Sequence, residues 1–566
     1  MTKLEDLGEV ISTDVLVAGS GIAGFPAAIK AKETSPEKDV LIVDKATVGW
    51  AGLAPKGGGV FWCIAPEDDL DKFVEYHVKN IGYYLNDQEL LYLNAKETYG
   101  AAQQLAEWGV KVQRDAQGKL LTGHLLSSRW SHAGADLDMI SLLSARARKS
   151  GVKLLSKVQI VELLKEGNRI VGAVGFNVID GRFYIIKAKS TILATGGLNR
   201  TAAMFTPHYG EGVAAAYQAG AEMRNAEFGF LIHPRVKGGG NIPNLAFNIH
   251  NAAGEYMAEK YMPEVLKEEI YDTAILTPAF VVGVFNEMRE GPIRVDMSRT
   301  GPERGGPPPE LNWNRPKQTS YFTRLRKLSK YSRPAPPNPE AEIGLAAGCS
   351  PIRVDHEMKT SLEGLWAIGD TSYNGSAWGG AVCMAPGRMR GSPLMIGLLG
   401  GLRSGPAAAR AASQAGSPQI NYDEVKRLKD EMFAPLQSSQ GLLPQDAIQE
   451  LDGIVSPVEN GFSRTKDRME KVLSRIQGVR QKCSQLYAKD SHGLMKCNEA
   501  KSMAVCLEIV FNAALARTES RAYHYREDYP ERDDKNWLKW IIVKQEAGKT
   551  VLSTEPVPID KYKFKP

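Results

Sequence analysis

No run of about 18 apolar residues occurs in this chain, so no segment is long enough to cross a bilayer as a helix. Its first residues, MTKLEDLGEVISTD, lack the basic stretch and apolar core of a secretory signal. Both absences predict a cytoplasmic protein without direct membrane insertion. The six cysteines, Cys63, Cys349, Cys383, Cys483, Cys497 and Cys506, form no CxxC or CxxCxxC spacing. Neither a zinc site nor an iron-sulfur cluster is therefore written here, and any cluster must belong to a partner. Reduced thiols in a reducing compartment are the expectation for all six. Internal repeats, a haem motif and long low-complexity blocks are also missing. The charge excess is small, +5 from 70 basic and 65 acidic residues. That is too mild and dispersed for a nucleic-acid binder, and it suits a protein that attracts small anions.

What is present is an ordinary globular composition in a chain of 566 residues, enough for about three to four structural units. The opening reads as strand (Asp14 to Ala18), glycine turn, helix (Ile22 to Lys32) and strand (Val40 to Val43), a right-handed βαβ unit. Residues 67–110 carry apolar positions at helical intervals and should cover the sheet. From Val152 to Leu193, short β-branched runs read as a meander returning to a last buried strand. Proline- and glycine-rich segments between about 234 and 348 mark an insertion. "GLWAIGD" then reads as another strand and turn, before a long helix opening at Ser392-Pro393. Residues 420–520 are patterned as helices, and an irregular, charged tail is expected to follow.

Gly19-Ser20-Gly21-Ile22-Ala23-Gly24 lies between the first strand and helix. In such a turn the first glycine permits the tight bend, the second lets a pyrophosphate touch bare backbone, and the third packs helix on strand. The helix N-terminus adds unpaired N–H groups and a positive dipole end. Asp44 closes the second strand 20 residues after Gly24, where a carboxylate accepts adenosine ribose hydroxyls. These features predict dinucleotide binding.

Further glycine segments, Ala194-Thr195-Gly196-Gly197 and Gly369-Asp370, are spaced as in proteins that hold FAD along its whole length. With "VLVAGSGIAGFPAAIKA", "VLIVDKA", "KGGGVFW", "TILATGG", "GEGVAAAYQAGAEM", "EGLWAIGD" and "ESRAYHYREDYPERDDKNWLKW", the chain resembles the flavoprotein subunits of succinate dehydrogenase, fumarate reductase, L-aspartate oxidase and adenylylsulfate reductase. It is most similar to the adenylylsulfate reductase alpha subunit. The resemblance implies an α/β fold: a Rossmann-like FAD-binding domain (residues 1–233 and 349–418), an inserted α+β capping domain (234–348), a C-terminal helical domain (419–540) and a tail (541–566). It also implies cofactor contacts from Gly19, Ser20, Gly21, Ala23, Gly24, Asp44, Lys45, Val158, Ala194, Thr195, Gly196, Gly369, Asp370 and Leu394. Gly57 and Gly58 match the backbone that runs close to the isoalloxazine. Ser392 matches the start of the helix whose positive end faces the reduced flavin. Glu211 matches a further FAD contact, with a solvated loop acid as the alternative. Succinate dehydrogenases carry a histidine between the second strand and the next glycines, whereas "ATVGWAGLAPKGGG" has none. FAD is therefore expected to be bound non-covalently.

The residues that would meet substrate differ from those of the dicarboxylate enzymes. One substrate histidine of fumarate reductases aligns near Ala346, and the other has a counterpart in His233, one residue out of register. Arg235-Val236-Lys237-Gly238 and Ala385-Pro386-Gly387-Arg388 look more like adenylylsulfate reductase. A histidine-containing loop of that enzyme has no equivalent in "TSYNGSAWGGAVCMAPGRM". The expected reaction site is Arg235, holding an anion or donating a proton, with His233 and Arg388. The competing readings are a capping-domain salt bridge, a core histidine and a structural contact. The basic run Arg324 to Arg333 reads as a solvated face or a partner-docking segment.

Together these readings predict an FAD oxidoreductase working on a small anionic substrate, with an iron-sulfur, ferredoxin-like partner subunit or a diffusible donor. A soluble fumarate reductase-like enoate reductase and a flavin electron-transfer subunit without its own substrate are the alternatives.

Overall fold

The computed structural model describes residues 3–566, apart from 51, 57–58, 116, 121, 125–130, 137, 200–207, 238–247, 264–276, 297–338 and 375–391. Strand β1 (Glu9–Ala18), helix α1 (Gly24–Thr34) and strand β2 (Val40–Asp44) form the opening βαβ unit, with β1 and β2 parallel. β1 begins five residues before the apolar run, because Glu9 to Thr13 pair with Tyr184 to Ala188. The helical pattern over 67–110 becomes two helices, α2 (Leu70–Asn80) and α3 (Gln88–Glu107). Asp69 and Asp87 cap them, accepting from the backbone N–H of Lys72 (3.0 Å) and Leu90 (3.1 Å). Tyr83 and Tyr84 turn the chain between them at positive φ.

Four strands complete most of the main sheet: β3 (Lys153–Ser156), β4 (Val158–Glu166), β5 (Arg169–Asn177) and β6 (Phe183–Leu193). Their order is β3-β2-β1-β6-β5-β4, with β3, β2, β1 and β6 parallel and the meander β4-β5-β6 antiparallel. Val15 to Ala18 and Val40 to Val43 are buried, the continuous apolar pattern of strands covered on both faces.

Helix α4 (Glu211–Gln218), strand β7 (Met223–Arg224) and strand β8 (Phe230–Val236) follow. β8 pairs antiparallel with β9 (Glu340–Cys349), so both expected capping-domain boundaries fall inside strands of one ribbon. Strand β10 (Leu365–Ala367) returns to the main sheet, parallel to the last residues of β6. Helix α5 (Ser392–Gln414) opens where Pro393 in its first turn predicted.

α5 packs along α1 through glycines four residues apart. A Cβ on Gly401 would stand 2.4 Å from Ala23 O, and one on Gly405 would stand 2.3 Å from Ala27 O. Gly397 meets Ile22 and Ala23 in the same way. Contacts advance in the same direction on both helices, so the two run parallel. Their N-termini therefore point to the same end of the sheet.

The C-terminal region holds α6 (Lys466–Lys482) and the 26-residue α7 (Ser491–Ala516). The expected irregular tail is instead a hairpin, β11 (Lys539–Glu546) and β12 (Lys549–Pro556), with β11 pairing with β7. Ala547 and Gly548, both at positive φ, make the two-residue turn whose twist suits a hairpin. The short β-branched runs in "KWIIVKQE" and "KTVLSTEP" on either side of Ala547-Gly548 carried that signal. The five described cysteines, Cys63, Cys349, Cys483, Cys497 and Cys506, are buried and form no disulfide with one another.

Candidate functional site

The glycine turn is built on backbone contacts that exclude side chains. Gly19 has φ +110°, and a Cβ there would lie 2.2 Å from Ala194 O. A Cβ on Gly24 would lie 1.9 Å from Gly19 O, whereas one on Gly21 would meet nothing within 4 Å. The outer two glycines are thus demanded by the protein's own packing. The middle one faces open space in front of the α1 N-terminus.

Asp44, at the tip of β2, locks this turn. Its carboxylate accepts from Ser20 N–H (2.7 Å), Ser20 Oγ–H (2.8 Å) and Ala46 N–H (2.7 Å). A carboxylate offers about four lone-pair sites, so one acceptor position remains for a sugar hydroxyl. Val158 begins β4 next to Lys157, whose N–H donates to Ala46 O (3.0 Å). Val158 therefore sits beside the Asp44–Ala46 segment.

Lys45 carries the next side chain. Its ammonium donates to Glu499 (2.8 Å) and to Glu211, and lies 5.9 Å from the Tyr209 ring centre. Glu211 opens α4 behind Gly210, which has φ +75°, and is buried rather than solvated. Burial alone would push the Lys45 pKa down, but the two carboxylates outweigh it and hold Lys45 above the ordinary lysine value. Burial likewise opposes the Glu211 carboxylate, and the charge and hydrogen bond of Lys45 hold it below the usual range. Burial and the Lys45 charge push the His208 pKa below the ordinary histidine value. Its Nδ1 lies where a Cβ on Gly196 would come within 2.8 Å. A Cβ on Gly212 would meet Thr195 Oγ1 at 2.1 Å. The turn Ala194-Thr195-Gly196, Lys45 and Glu211 are thus one cluster.

Gly369 and Asp370 lie in a 3-10 turn at the carboxyl end of β10. A Cβ on Gly369 would come 3.1 Å from the Ala23 Cβ. Ser392 is buried at the start of α5, and Leu394 is half-buried in its first turn. The third glycine segment and both helix N-termini therefore meet at the turn that opens the chain.

For the expected reaction residues, the backbone register is what is described. His233 stands opposite Gly344, Arg235 opposite Glu342, and Leu231 opposite Ala346. In an antiparallel pair opposed residues share a face. Ala346, at the position aligned with a dicarboxylate histidine, thus lies on the ribbon that carries His233, two cross-strand pairs away. Gly57, Gly58, Arg388 and the basic run Arg324 to Arg333 fall outside the described residues.

Sequence reasoning missed Glu499 and Lys496 on α7, which lie more than 450 residues from Lys45 and have no local signal. It also missed the glycine stripe of α5, which was legible as a four-residue repeat in "GLLGGLRSG".

A doubly packed parallel sheet with a glycine turn, an acid at the tip of β2 and converging helix N-termini defines a dinucleotide-binding oxidoreductase. Residues 14–239 match the family described as FAD binding domain, and residues 458–566 match that described as fumarate reductase flavoprotein C-term. A CoM/CoB fumarate reductase subunit of Methanothermobacter marburgensis is 26% identical, covering 95% of this chain and 98% of its own. The flavoprotein subunit of the 8-methylmenaquinol:fumarate reductase of Wolinella succinogenes is also 26% identical, covering 98% and 92%. Among solved structures, adenylylsulfate reductase of Archaeoglobus fulgidus superposes with a TM-score of 0.77 at 22% identity, covering 98% of this chain and 97% of its own. E. coli quinol fumarate reductase superposes with a TM-score of 0.81 at 18% identity, covering 98% of each chain. The chain belongs to the succinate dehydrogenase/fumarate reductase flavoprotein family of FAD-dependent oxidoreductases. Its cofactor is FAD.

The residues fit that cofactor: bare backbone at Gly21, the remaining acceptor position on Asp44 and the α1 N-terminus suit an adenosine diphosphate half, and the α5 N-terminus lies at the same end of the sheet. Among the described residues no helix is long and apolar enough to cross a membrane. With no histidine in "ATVGWAGLAPKGGG", acid precipitation of the holoprotein should release its flavin to the supernatant. Yellow colour retained in the pellet would contradict non-covalent binding.

Proposed function

We propose that this chain is the flavoprotein of a two-electron oxidoreductase that acts on a small anionic substrate and exchanges electrons with an iron-sulfur partner subunit. FAD, when bound, supplies two-electron chemistry at its N5 position. The observation that carries the reading is the parallel packing of α1 on α5, which brings two positive helix ends to the same end of the sheet. On this reading Gly19, Ser20, Gly21, Ala23 and Gly24 cradle the diphosphate, Asp44 holds the ribose, and Val158 and Ala194 to Gly196 line the adenosine side with Lys45 and Glu211. Gly369, Asp370, Ser392 and Leu394 hold the other half, together with Gly57 and Gly58. The α5 N-terminus favours negative charge beside it, which stabilises a reduced cofactor.

Arg235 and His233 on β8 hold the substrate anion and supply a proton, with Arg388 as a second anion contact. Their support is the antiparallel ribbon, which sets His233 and Arg235 on one face. The partner subunit is supported by the two curated relatives, each described as a subunit, and by the lack of cluster spacing in this chain's cysteines. The enoate-reductase reading is favoured by those same relatives, both fumarate reductases. Against its dicarboxylate form stands Ala346 in place of a histidine.

The test is turnover by FAD-replete protein with reduced dye, across adenylylsulfate, sulfite, fumarate and monocarboxylic enoates. Arg235→Ala should lower kcat/KM for the accepted substrate by about a hundredfold or more while FAD stays bound, the usual cost of removing a group that stabilises transition-state charge. Unchanged turnover would reject the substrate site and favour an electron-transfer role. Turnover of fumarate alone would select the second reading.

A further inference from the structure

Helix α7 lies along the cofactor domain for most of its length. A Cβ on Gly181 would meet Ser491 Oγ at 2.8 Å, one on Gly210 would meet Cys506 Sγ at 2.5 Å, and one on Gly229 would meet Val510 Cγ2 at 2.5 Å. Asn498 Nδ2 reaches Gln159 Oε1, next to Val158, at 3.5 Å. Between these contacts, Glu499 holds the Lys45 ammonium at 2.8 Å and the Lys496 ammonium at 2.7 Å. Both ammonium groups lie over the Tyr209 ring, at 5.9 Å and 5.3 Å from its centre.

Lys45 keeps 31% of its side-chain surface accessible while its ammonium is held by Glu211, Glu499 and the Tyr209 ring, so one side of it stays open to a ligand. Glu499, with 3% of its side chain accessible, stands behind it as a buried support. The set Lys45, Lys496, Glu211 and Glu499 holds two charges of each sign. Removing the Glu499 charge leaves Lys45 paired with Glu211 alone and takes from Lys496 its carboxylate partner. Lys45 is then pulled toward Glu211 at the first turn of α4, away from the position set by two opposed carboxylates.

We propose that Glu499 is a positioning residue for the cofactor: from the C-terminal helical region it fixes Lys45 beside Asp44, so that FAD binding and the docking of α7 are one linked equilibrium. Because linkage is reciprocal, FAD must tighten α7 to the same degree that α7 tightens FAD. The inference rests on FAD binding and is independent of which substrate is reduced.

A double-mutant cycle on the full chain tests it, with FAD affinity read by flavin fluorescence and not by turnover. Glu499→Gln should weaken FAD binding about tenfold or more, equivalent to about 1.4 kcal/mol. Lys45→Met should weaken it at least as much. The double variant should resemble Lys45→Met, because Glu499 acts through that ammonium. Additive losses, or wild-type affinity in Glu499→Gln, would overturn the proposal. If a variant fails to fold, amide exchange on the wild-type chain decides. Adding FAD to apoprotein should slow exchange within Ser491–Ala516, and equal exchange with and without FAD would overturn the linkage. Failure of substrate turnover leaves all of these readouts intact, so the two readings fall separately.

Discussion

Gly21→Ala is expected to give a folded but colourless protein, whereas Gly24→Ala should disturb the fold itself. The two glycines are three residues apart and similar by sequence, but their surroundings differ. A Cβ on Gly24 would sit 1.9 Å from Gly19 O and 3.3 Å from Val17 Cγ1. The first contact sets the new methyl against a backbone oxygen that cannot swing aside, so α1 must move off β1. Overpacking of this kind costs about 3 kcal/mol or more. A Cβ on Gly21 meets no protein atom within 4 Å, so the apoprotein should unfold at the wild-type temperature. The methyl group instead occupies the space through which a diphosphate reaches the backbone. FAD affinity should fall about a hundredfold or more, equivalent to about 2.8 kcal/mol. Melting of the apoproteins and flavin titration separate the two effects. Wild-type FAD affinity in Gly21→Ala would show that the cofactor does not lie over this turn.

Arg517→Met should be the most destabilising change in the C-terminal region. Its guanidinium is fully buried and donates to Glu227 (2.7 Å), Glu519 (2.7 Å), Trp537 O (3.1 Å) and Lys539 O (2.8 Å). It therefore ties together the cofactor domain at Glu227, the end of α7 and the start of β11. Glu519 would keep Arg521 and the Asp533 N–H as partners. Glu227 would keep only its own backbone N–H and the charge of the buried Arg464: among the described residues its Oε2 has no hydrogen-bond partner, and burial holds its pKa above the usual carboxylate value. Stranding a buried charge in this way costs about 3–5 kcal/mol. Chemical unfolding of the FAD-replete protein measures it, and a loss below about 1 kcal/mol would refute the assignment. Arg517→Met combined with Glu227→Leu should be less damaging than Arg517→Met alone, because the unpaired carboxylate is gone.

The segment "ESRAYHYREDYPERDDKNWLKW" shows why part of this molecule was hidden in its sequence. From Arg521 to Trp540 it reads as a tie between the C-terminal region and the cofactor domain, and Arg521, His524 and Arg526 are buried, as is Arg517 just before it, but the groups that receive them are not legible locally. Their burial depends on distant acceptors such as Glu227 and the Tyr83 carbonyl. Glu499 escaped notice for the same reason: a carboxylate on a helix reads as solvated until its partner arrives from elsewhere in the chain. The hairpin β11–β12 was a different case, since its apolar β-branched run and its Ala-Gly turn were local and legible.

By itself the sequence determined the opening βαβ unit, the glycine turn, its acid and hence the dinucleotide, because these depend on residue type at short, fixed spacing. The start of α5 at Ser392-Pro393 was local in the same sense. Only the tertiary structure decided that α5 lies parallel to α1, that Lys45 is clamped between Glu211 and Glu499, and that His233 and Ala346 share a ribbon. Each of those arrangements joins segments far apart along the chain. Close backbone approach and compensation of buried charge arise only when the folded chain brings such segments within a few ångströms.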